Sequence, residues 1–458
     1  MILGFIFIFA AINKRMNLLI KDFKIFNRKI SFVAVFWFLL ATIGVVLKIR
    51  LGRGSIGNYL IFENVFWNTI HQSDLYFVDP VKHLGSYLYG PLFSYLIAPF
   101  AIFSTSTGAF FWGIFNAAFL FLAIRKLPVS YKDQNIILTV SAVEMMTSVQ
   151  NMQINCIIAA LIIFSFNYTQ KQKEIWATLF IAIGILIKLY GIVGLAFFFF
   201  TNEKLKFILS FFFWLILLFC LPMLISSPVF IVQCYVDWYH TLIAKHMANT
   251  YSEYQNISVM GMFRHIIKTK YLNSIVIITG AIFYALPFLR VSQFKNKIFR
   301  LSYLAFALIG VVIFSSSAES PTYIIAVTGV GIWFILQNKT QPLVLILLVF
   351  TLFLTSLSST DFFPEFIKLN FVRPYALKAL PCFLVWLVLS YQLLLRDFNL
   401  QENFPYKNSR YCLKRIIRFM QNQFFIYIKI RRLNDIAWAM FALDKGFAQV
   451  QSDNSHNH

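Results

Sequence analysis

The stretch SIGNYLIFENVFWNTIHQSDLYFVDPVKHLGSYLYGPLFSYLIAP, residues 55–99, holds polar and acidic residues that the neighbouring sequence lacks. It contains the carboxylates Glu63 and Asp74, and its tyrosines lead to Tyr89-Gly90-Pro91. Long apolar runs surround it, and the first of them is Ile30–Ile49. Carboxylates gathered beside the first apolar run predict that the chemistry of this protein takes place here.

The composition is that of an integral membrane protein. Of the 458 residues, 59% are hydrophobic and 13% are charged, whereas a water-soluble domain carries about 25% charged residues. Long apolar runs favour a helical protein over a β-barrel, whose strands alternate apolar and polar residues. The 40 Lys and Arg outnumber the 18 Asp and Glu. They lie in short loops between apolar runs, which is typical of cytoplasmic loops and argues against nucleic-acid binding.

The five cysteines give no sign of a disulfide framework or a zinc site. Their number is odd and no CxxC pair is present, so spacing predicts neither. We interpret them as small core residues.

Charge and hydropathy divide the chain into three segments. Residues 1–29 are predicted to form a cytoplasmic N-terminal segment, residues 30–395 a membrane domain, and residues 396–458 a basic cytoplasmic tail. The basic flank before the first span puts the first loop, residues 50–99, outside. Apolar run lengths predict an all-α, polytopic helical membrane protein with about twelve spans. The tail fits either a helix on anionic lipid or a solvated extension.

The first outer loop contains the pattern of a surface helix. Aromatic and aliphatic side chains recur there at helical spacing, at Tyr59, Phe62, Phe66 and Ile70. The spacing predicts a helix along the membrane surface, with Asn58 as its N-cap. Pro91–Phe103 is apolar but too short to span the bilayer, so a half-inserted helix is expected there.

Polar and charged residues inside apolar surroundings are further candidates for function. The polar patch Val149–Ile154 is expected to break two shortish helices on the outer side. Lys188, at a predicted outer helix end, would bind a phosphate or extend to the interface. Glu319, two residues before Pro321, would contact substrate or cap the next helix. Glu144, inside a span, is expected to hydrogen-bond a neighbouring helix.

Several motifs, taken in order, resemble glycosyltransferase family 87, the membrane-embedded GT-C class that includes polyprenol-phosphate-mannose mannosyltransferases. The surface helix, Asp74-Leu75-Tyr76 and Tyr89-Gly90-Pro91 look like its first loop. The break at Gln150–Asn155 is similar to its Gln/Asn motif. Three further segments resemble other motifs of the family: Ile187-Lys188-Leu189-Tyr190-Gly191, Ala318-Glu319-Ser320-Pro321-Thr322 and Arg373-Pro374-Tyr375. The likeness covers residues 30–395.

The resemblance implies an inverting transfer of a sugar, with mannose expected, from a polyprenyl-phosphate donor to a lipid or glycan acceptor, without metal or cofactor. The family places a catalytic aspartate where the surface helix begins, but here that position is Asn58. An amide cannot accept the proton, so Asp74 or Glu63 is expected to act as the base. The expected substrate-binding residues are Asn58, Gln150, Lys188, Glu319, Arg373 and Lys378; Arg373 and Lys378 are cations on the predicted outer side.

The sequence leaves alternatives to this function. A transporter or lipid flippase would also contain broken helices and intramembrane charges, although no internal repeat is evident. A transferase-like protein that lost catalysis with the aspartate at position 58 is a third interpretation. The expected location is a cell membrane, with the bacterial inner membrane favoured and the active site on the extracytoplasmic face.

Overall fold

Apolar helices dominate the structure, a computed structural model that describes residues 22–25, 28–78, 85–249, 252, 255–267, 272–337 and 341–399. Within these ranges, five helical segments are long and apolar enough to cross a membrane: Phe32–Arg50, Thr105–Arg125, Lys204–Leu224, Pro342–Ser359 and Leu377–Leu395. Shorter apolar helices accompany them. A polytopic helical membrane protein is therefore confirmed, while the count of about twelve spans stays a prediction.

The α-helices, in chain order, are α1 (Phe32–Arg50), α2 (Gly57–Ile70), α3 (Phe93–Ala101), α4 (Thr105–Arg125), α5 (Tyr131–Gln150), α6 (Asn155–Gln170), α7 (Glu174–Ile187), α8 (Lys204–Cys220), α9 (Pro228–Asn249), α10 (Val259–Ile267), α11 (Leu272–Ala285), α12 (Lys297–Ile313), α13 (Tyr323–Ile335), α14 (Pro342–Phe350), α15 (Glu365–Ile367) and α16 (Leu380–Leu395). The longer 3₁₀ and π segments are Leu189–Phe200 and Thr351–Ser356. Short 3₁₀ turns include Ser320–Thr322, Leu357–Ser359 and Leu377–Ala379.

A two-stranded hairpin precedes the first helix. Strand β1 (Asp22–Ile25) pairs antiparallel with β2 (Arg28–Ser31), and Asp22 lies opposite Ser31. After Ser31, every regular element of the described residues is helical, as predicted. Residues 1–21 and 400–458, which hold most of the two predicted cytoplasmic segments, lie outside the described residues.

The predicted surface helix is α2, and its apolar face packs on the rest of the protein. Phe62 lies 4.7 Å from Phe93 of α3 and 5.8 Å from Trp112 of α4, measured between ring centroids. The expectation that Asn58 caps this helix is wrong. Ile56 occupies the N-cap position, and Asn58 lies within the first turn, where its side chain points to another segment.

The bundle has two ends, which hydrogen bonds between helix termini define. At one end, Arg125 at the end of α4 donates to Ser31 before α1, at 3.2 Å. Arg300 near the start of α12 donates to Gln170 at the end of α6, at 2.9 Å. Because these termini belong to antiparallel neighbours, the basic turns predicted to be cytoplasmic meet at this end, here called the basic end.

The opposite end, here called the polar end, collects the segments that the sequence assigned to the outer side. The end of α7 meets the start of α6 there, through Lys188 and Asn155. The loop after α2 meets the start of α9, since Ser227 donates to Gln72 at 2.9 Å. Candidate site residues distant in sequence therefore share one end of the bundle.

A close approach of two glycines fixes the turn that carries Lys188. Gly184 of α7 faces Gly191 of the 3₁₀ segment Leu189–Phe200. A Cβ added at Gly191 would lie 2.4 Å from the backbone carbon of Gly184, which is shorter than any real contact. Only glycine permits this packing, and the chain consequently reverses within a few residues around Lys188.

Candidate functional site

Lys188 occupies the turn between α7 and the following 3₁₀ segment, with extended backbone angles that end the helix. Its ammonium donates to Asn155 Oδ1 at 2.7 Å. The same nitrogen lies 4.6 Å from the ring centroid of Tyr190 and 5.8 Å from that of Tyr89. The Tyr89-Gly90 motif reaches this turn because Gly90 N–H donates to Ile187 O, at 3.0 Å.

A chain of hydrogen bonds continues from Lys188 to Glu319. Asn155 donates its side-chain amide to Gln153 Oε1. Gln153 in turn donates from Nε2 to Glu319 Oε2, at 2.7 Å. These four residues, here called the Lys188–Glu319 chain, come from three separate parts of the sequence and join two residues that the sequence predicted to bind substrate.

The direction of this chain follows from the lysine at its start. An ammonium can only donate hydrogen bonds, so Asn155 must present its oxygen to Lys188 and its NH₂ to Gln153. Gln153 then presents its NH₂ to Glu319. Every dipole points the same way, from a cation towards a carboxylate, and such aligned bonds strengthen one another.

Lys378 lies at the centre of a second cluster, and it is 3% exposed. Its Nζ donates to Glu144 Oε1 at 2.9 Å, to Ser320 Oγ at 2.8 Å and to Ser359 Oγ. Glu144 is fully buried in α5, and the expected hydrogen bond to a neighbouring segment is an ion pair with this lysine. Part of the charge of Lys378 is therefore neutralised within the protein, which the prediction of lipid-phosphate binding did not include.

A cavity of about 230 Å³ lies beside Lys378. It is lined by Thr147, Asn151, Ile257, Ser320, Pro321, Ser358, Ser359, Lys368, Val372, Arg373, Ala376 and Lys378. Ammonium, guanidinium and hydroxyl donors suit a phosphoryl oxygen. Among the described residues, no group of three or more His, Cys, Asp or Glu is arranged to hold a metal ion.

Two residues near this cavity have a left-handed backbone that non-glycine residues rarely adopt. Met152, in the break after α5, has φ 54°, and Ala376, which lines the cavity, has φ 49°. The Met152 turn is fixed from outside, because Trp112 Nε1 donates to Met152 O at 2.8 Å. Backbone strain of this kind is often concentrated at functional sites.

Asn58 and Gln150, both predicted to bind substrate, support the break between α5 and α6. Asn58 donates from Nδ2 to Asn151 O at 2.8 Å. Gln150, the last residue of α5, packs beside Gly44 of α1, where a Cβ would meet its Cγ at 3.1 Å. The break turns the chain after Gln150, so Gln153, three residues later, reaches Glu319 instead.

Glu63, predicted as a catalytic base, faces the start of α4. Both of its carboxylate oxygens accept from Thr105 Oγ1, each at 3.1 Å. Partial burial raises the pKa of this carboxyl, while Thr105 and Arg53 oppose the rise. A carboxylate at a helix N-terminus is favourable for the helix, and Glu63 does not line the cavity.

Asp74, the other predicted base, lies in an exposed turn of the first loop. Its Oδ1 accepts from Tyr76 N–H at 2.8 Å, an arrangement by which aspartate stabilises turns. Asn68 donates to the Asp74 backbone oxygen at 3.2 Å. The structure brings Asp74 neither to the cavity nor into the Lys188–Glu319 chain.

Residues that the sequence did not select complete the polar end. Gln153, Asn155, Lys368, Ser320, Ser358 and Ser359 take part in the chain or the cavity. Gln153 and Asn155 lie inside the Gln/Asn motif that was noticed, but spacing alone could not show which amide points to Glu319. The serines carry no signal of their own in sequence.

The fold and the site define a polytopic membrane protein with a cationic cavity and a polar chain at one end of its helices. The family model of glycosyltransferase family 87 matches residues 87–316, just over half of the 458-residue chain. The chain belongs to this family, which confirms the resemblance and identifies a membrane glycosyltransferase. No curated protein matches the sequence.

Proposed function

We propose that this protein transfers a hexose, with mannose favoured, from a polyprenyl-phosphate donor to a lipid or glycan acceptor. The transfer inverts the configuration of the anomeric carbon and needs no metal, as in enzymes of the GT-C class. One observation carries the proposal: at the polar end, a cavity with three cationic side chains lies next to the hydrogen-bonded Lys188–Glu319 chain, which ends in a carboxylate. The cations are Lys368, Arg373 and Lys378, and the carboxylate is Glu319.

The size and chemistry of the cavity support a phosphate head group as its occupant. At about 230 Å³ it is smaller than the roughly 300–1,000 Å³ of pockets that enclose a drug-sized ligand. A phosphate or a single sugar fits this volume, and the polyprenyl chain would remain in the membrane. Cations around the leaving phosphate would stabilise the negative charge that develops as the glycosidic bond breaks.

The side of the membrane follows from the charges of the two ends. The basic end gathers residues such as Arg125 and Arg300, and loops rich in Lys and Arg are retained in the cytoplasm. The polar end then faces the extracytoplasmic side of a cell membrane, with the bacterial inner membrane favoured. A donor that presents its sugar on that face supplies the substrate.

The experiment is a transfer assay with purified protein in liposomes that contain radiolabelled polyprenyl-phosphate hexoses and membrane-lipid acceptors. We expect label to move to an acceptor, and Arg373→Met to lower kcat/KM by about 100-fold, the effect of losing one charge-stabilising donor. The exposed Arg50, at the end of α1, gives the control Arg50→Met, which should transfer normally.

Two outcomes would contradict the proposal. Movement of intact donor across the bilayer without transfer would identify a transporter or lipid flippase. Absence of both transfer and movement, with every hexose offered on the donor, would support a transferase-like protein that lost catalysis with the carboxylate at position 58.

A further inference from the structure

We propose that Ser320 and Ser359 form a hydroxyl pair that binds a phosphoryl oxygen of the donor, and that Lys378 is the positioning residue that orients this pair. The binding role rests on the proposed function, which supplies a lipid-linked phosphate to the cavity. Each of the three residues belongs to a different short 3₁₀ turn. The fold therefore brings them together from separate parts of the chain.

The ammonium of Lys378 is held in place by protein groups. The residue is 3% exposed, and its Nζ donates to Glu144 Oε1 at 2.9 Å. The same nitrogen donates to Ser320 Oγ at 2.8 Å and to Ser359 Oγ. It also lies 5.2 Å from the ring centroid of Tyr323. An ammonium has three donors, and three protein oxygens accept from this one.

The hydroxyl pair has more hydrogens than the protein uses. The two serine oxygens lie 2.6 Å apart, within hydrogen-bond distance. Because an ammonium only donates, each oxygen accepts from Lys378 and each hydroxyl keeps its own hydrogen. One of the two hydrogens lies between the oxygens, and the other has no acceptor among the described residues. The pair thus retains one O–H donor for a ligand.

The other hydroxyls of the cavity lining are engaged by the backbone. Thr147 Oγ1 donates to Val143 O at 3.1 Å, one turn earlier in α5. Ser358 Oγ donates to Thr355 O at 3.4 Å. Both residues line the cavity, as the hydroxyl pair does. Among the described lining residues, the pair is therefore the source of the hydroxyl hydrogen that a ligand can accept.

The charges of the cavity indicate which ligand atom this hydrogen meets. Lys368 and Arg373 line the same cavity and favour an anionic oxygen. A hydroxyl that accepts from an ammonium becomes a stronger donor, because successive hydrogen bonds polarise one another. Hydrogen bonds to a charged oxygen are also stronger than those to a neutral one. A phosphoryl oxygen fits this donor better than a sugar hydroxyl does.

The test measures equilibrium binding of polyprenyl phosphate, the donor without its sugar, to purified protein in nanodiscs. Ser320→Ala and Ser359→Ala should each weaken binding by less than about threefold, because the remaining serine still offers its hydroxyl. The two substitutions together should weaken binding by about tenfold or more, the effect of losing a hydrogen bond to a charged group. Such non-additivity is the signature of two residues that act as a pair.

The matched control removes two other buried hydroxyls. Ser165 and Ser390 each donate to a carbonyl of their own helix, so Ser165→Ala with Ser390→Ala should bind polyprenyl phosphate as the wild type does. Replacing Ser359 by threonine in the Ser320→Ala variant keeps one hydroxyl and should preserve binding at the level of the single variant.

Three results would overturn the assignment. The first is a Ser320→Ala, Ser359→Ala variant that binds within about twofold of the wild type. The second is a double effect equal to the product of the two single effects, which would mean that the serines act independently. The third is a double variant that loses affinity only for the hexose-bearing donor, which would assign the pair to the sugar.

The positioning role of Lys378 has its own readout. In a Glu144→Gln, Lys378→Met background the serines remain but the ammonium that orients them is gone. Adding the two serine substitutions there should weaken binding by less than about threefold. A purely structural lysine would leave the full serine effect in place. A wild-type protein that binds polyprenyl phosphate through the pair but transfers no hexose would remove the proposed function and leave this binding site.

Discussion

At the scale of single residues, Asn58 shows how a small chemical change redirects a side chain. An aspartate could not donate to Asn151 O, whereas the amide does so at 2.8 Å. The resemblance to the family made this position the expected catalytic site. In the structure, the amide stabilises the break between α5 and α6. Gln153 and Asn155, the two amides of the Lys188–Glu319 chain, lie at this break.

Restoring a carboxylate at this position should therefore harm the protein. Asn58→Asp replaces a donor with an anion facing a carbonyl oxygen, and we expect a loss of about 1–3 kcal/mol in unfolding free energy together with slower transfer. Asn64→Asp is the control, since it makes the same change of charge on the same helix, where Asn64 donates to Leu60 O one turn earlier, so the comparison isolates the contact with the break. Faster transfer by Asn58→Asp would show instead that position 58 is catalytic.

The buried ion pair of Lys378 and Glu144 makes a second prediction at this scale. Lys378→Met removes the partner of a carboxylate that is fully buried, and we expect a cost of about 3–5 kcal/mol in detergent unfolding experiments. Glu144→Gln combined with Lys378→Met should recover part of this loss, because no charge remains buried. The exposed Lys173→Met is the control. Equal stability of both lysine variants would contradict the burial of the pair.

At the scale of elements, the sequence indicated most helices well. The segment Pro91–Phe103 contains the helix α3, Phe93–Ala101, whose half-insertion into the bilayer stays a prediction, and the expected pair around the polar break is α5 and α6. The length of apolar runs, and the prolines or polar residues that interrupt them, indicate where helices begin and end. In contrast, apolar run length does not indicate the 22-residue helix α9, because its polar residues are interspersed with apolar ones.

The turn at Lys188 depends on the contact between two elements, α7 and Leu189–Phe200. Gly191→Ala would place a methyl group 2.4 Å from the Gly184 backbone, so the elements must separate. We expect a cost of about 1–3 kcal/mol and reduced transfer, because Lys188 and Tyr190 shift with the turn. Gly54→Ala, whose added Cβ has open space, serves as the control. Unchanged transfer by Gly191→Ala would show that the contact between the two glycines does not position the site.

At the scale of the whole molecule, the sequence indicated which segments lie together but not which side chains meet. Charge bias assigned Lys188, Glu319, Arg373 and Lys378 to one side, and the structure gathers them at the polar end. The two residues of such a pair can be distant in sequence, as Gln153 and Glu319 are, at 166 positions apart. Such contacts depend on helix rotation and on the exact turn at Met152, which no periodicity in one sequence specifies.

The two-ended arrangement predicts labelling from opposite sides of the membrane. In a chain whose five cysteines are replaced by alanine, Ser73→Cys should react with an impermeant maleimide in intact cells. Asn202→Cys, at the exposed turn before α8, should react only after permeabilisation. Both reacting from the same side would contradict the proposed orientation.

The central claim is that a lipid-linked sugar reacts at the polar end of the bundle, and an experimental structure with bound polyprenyl-phosphate hexose tests it most directly. We expect the phosphate to occupy the cavity lined by Lys368, Arg373 and Lys378, with N···O distances of about 2.7–2.9 Å. The sugar should then face Glu319. A head group bound at the basic end, or anywhere outside this cavity, would contradict the claim.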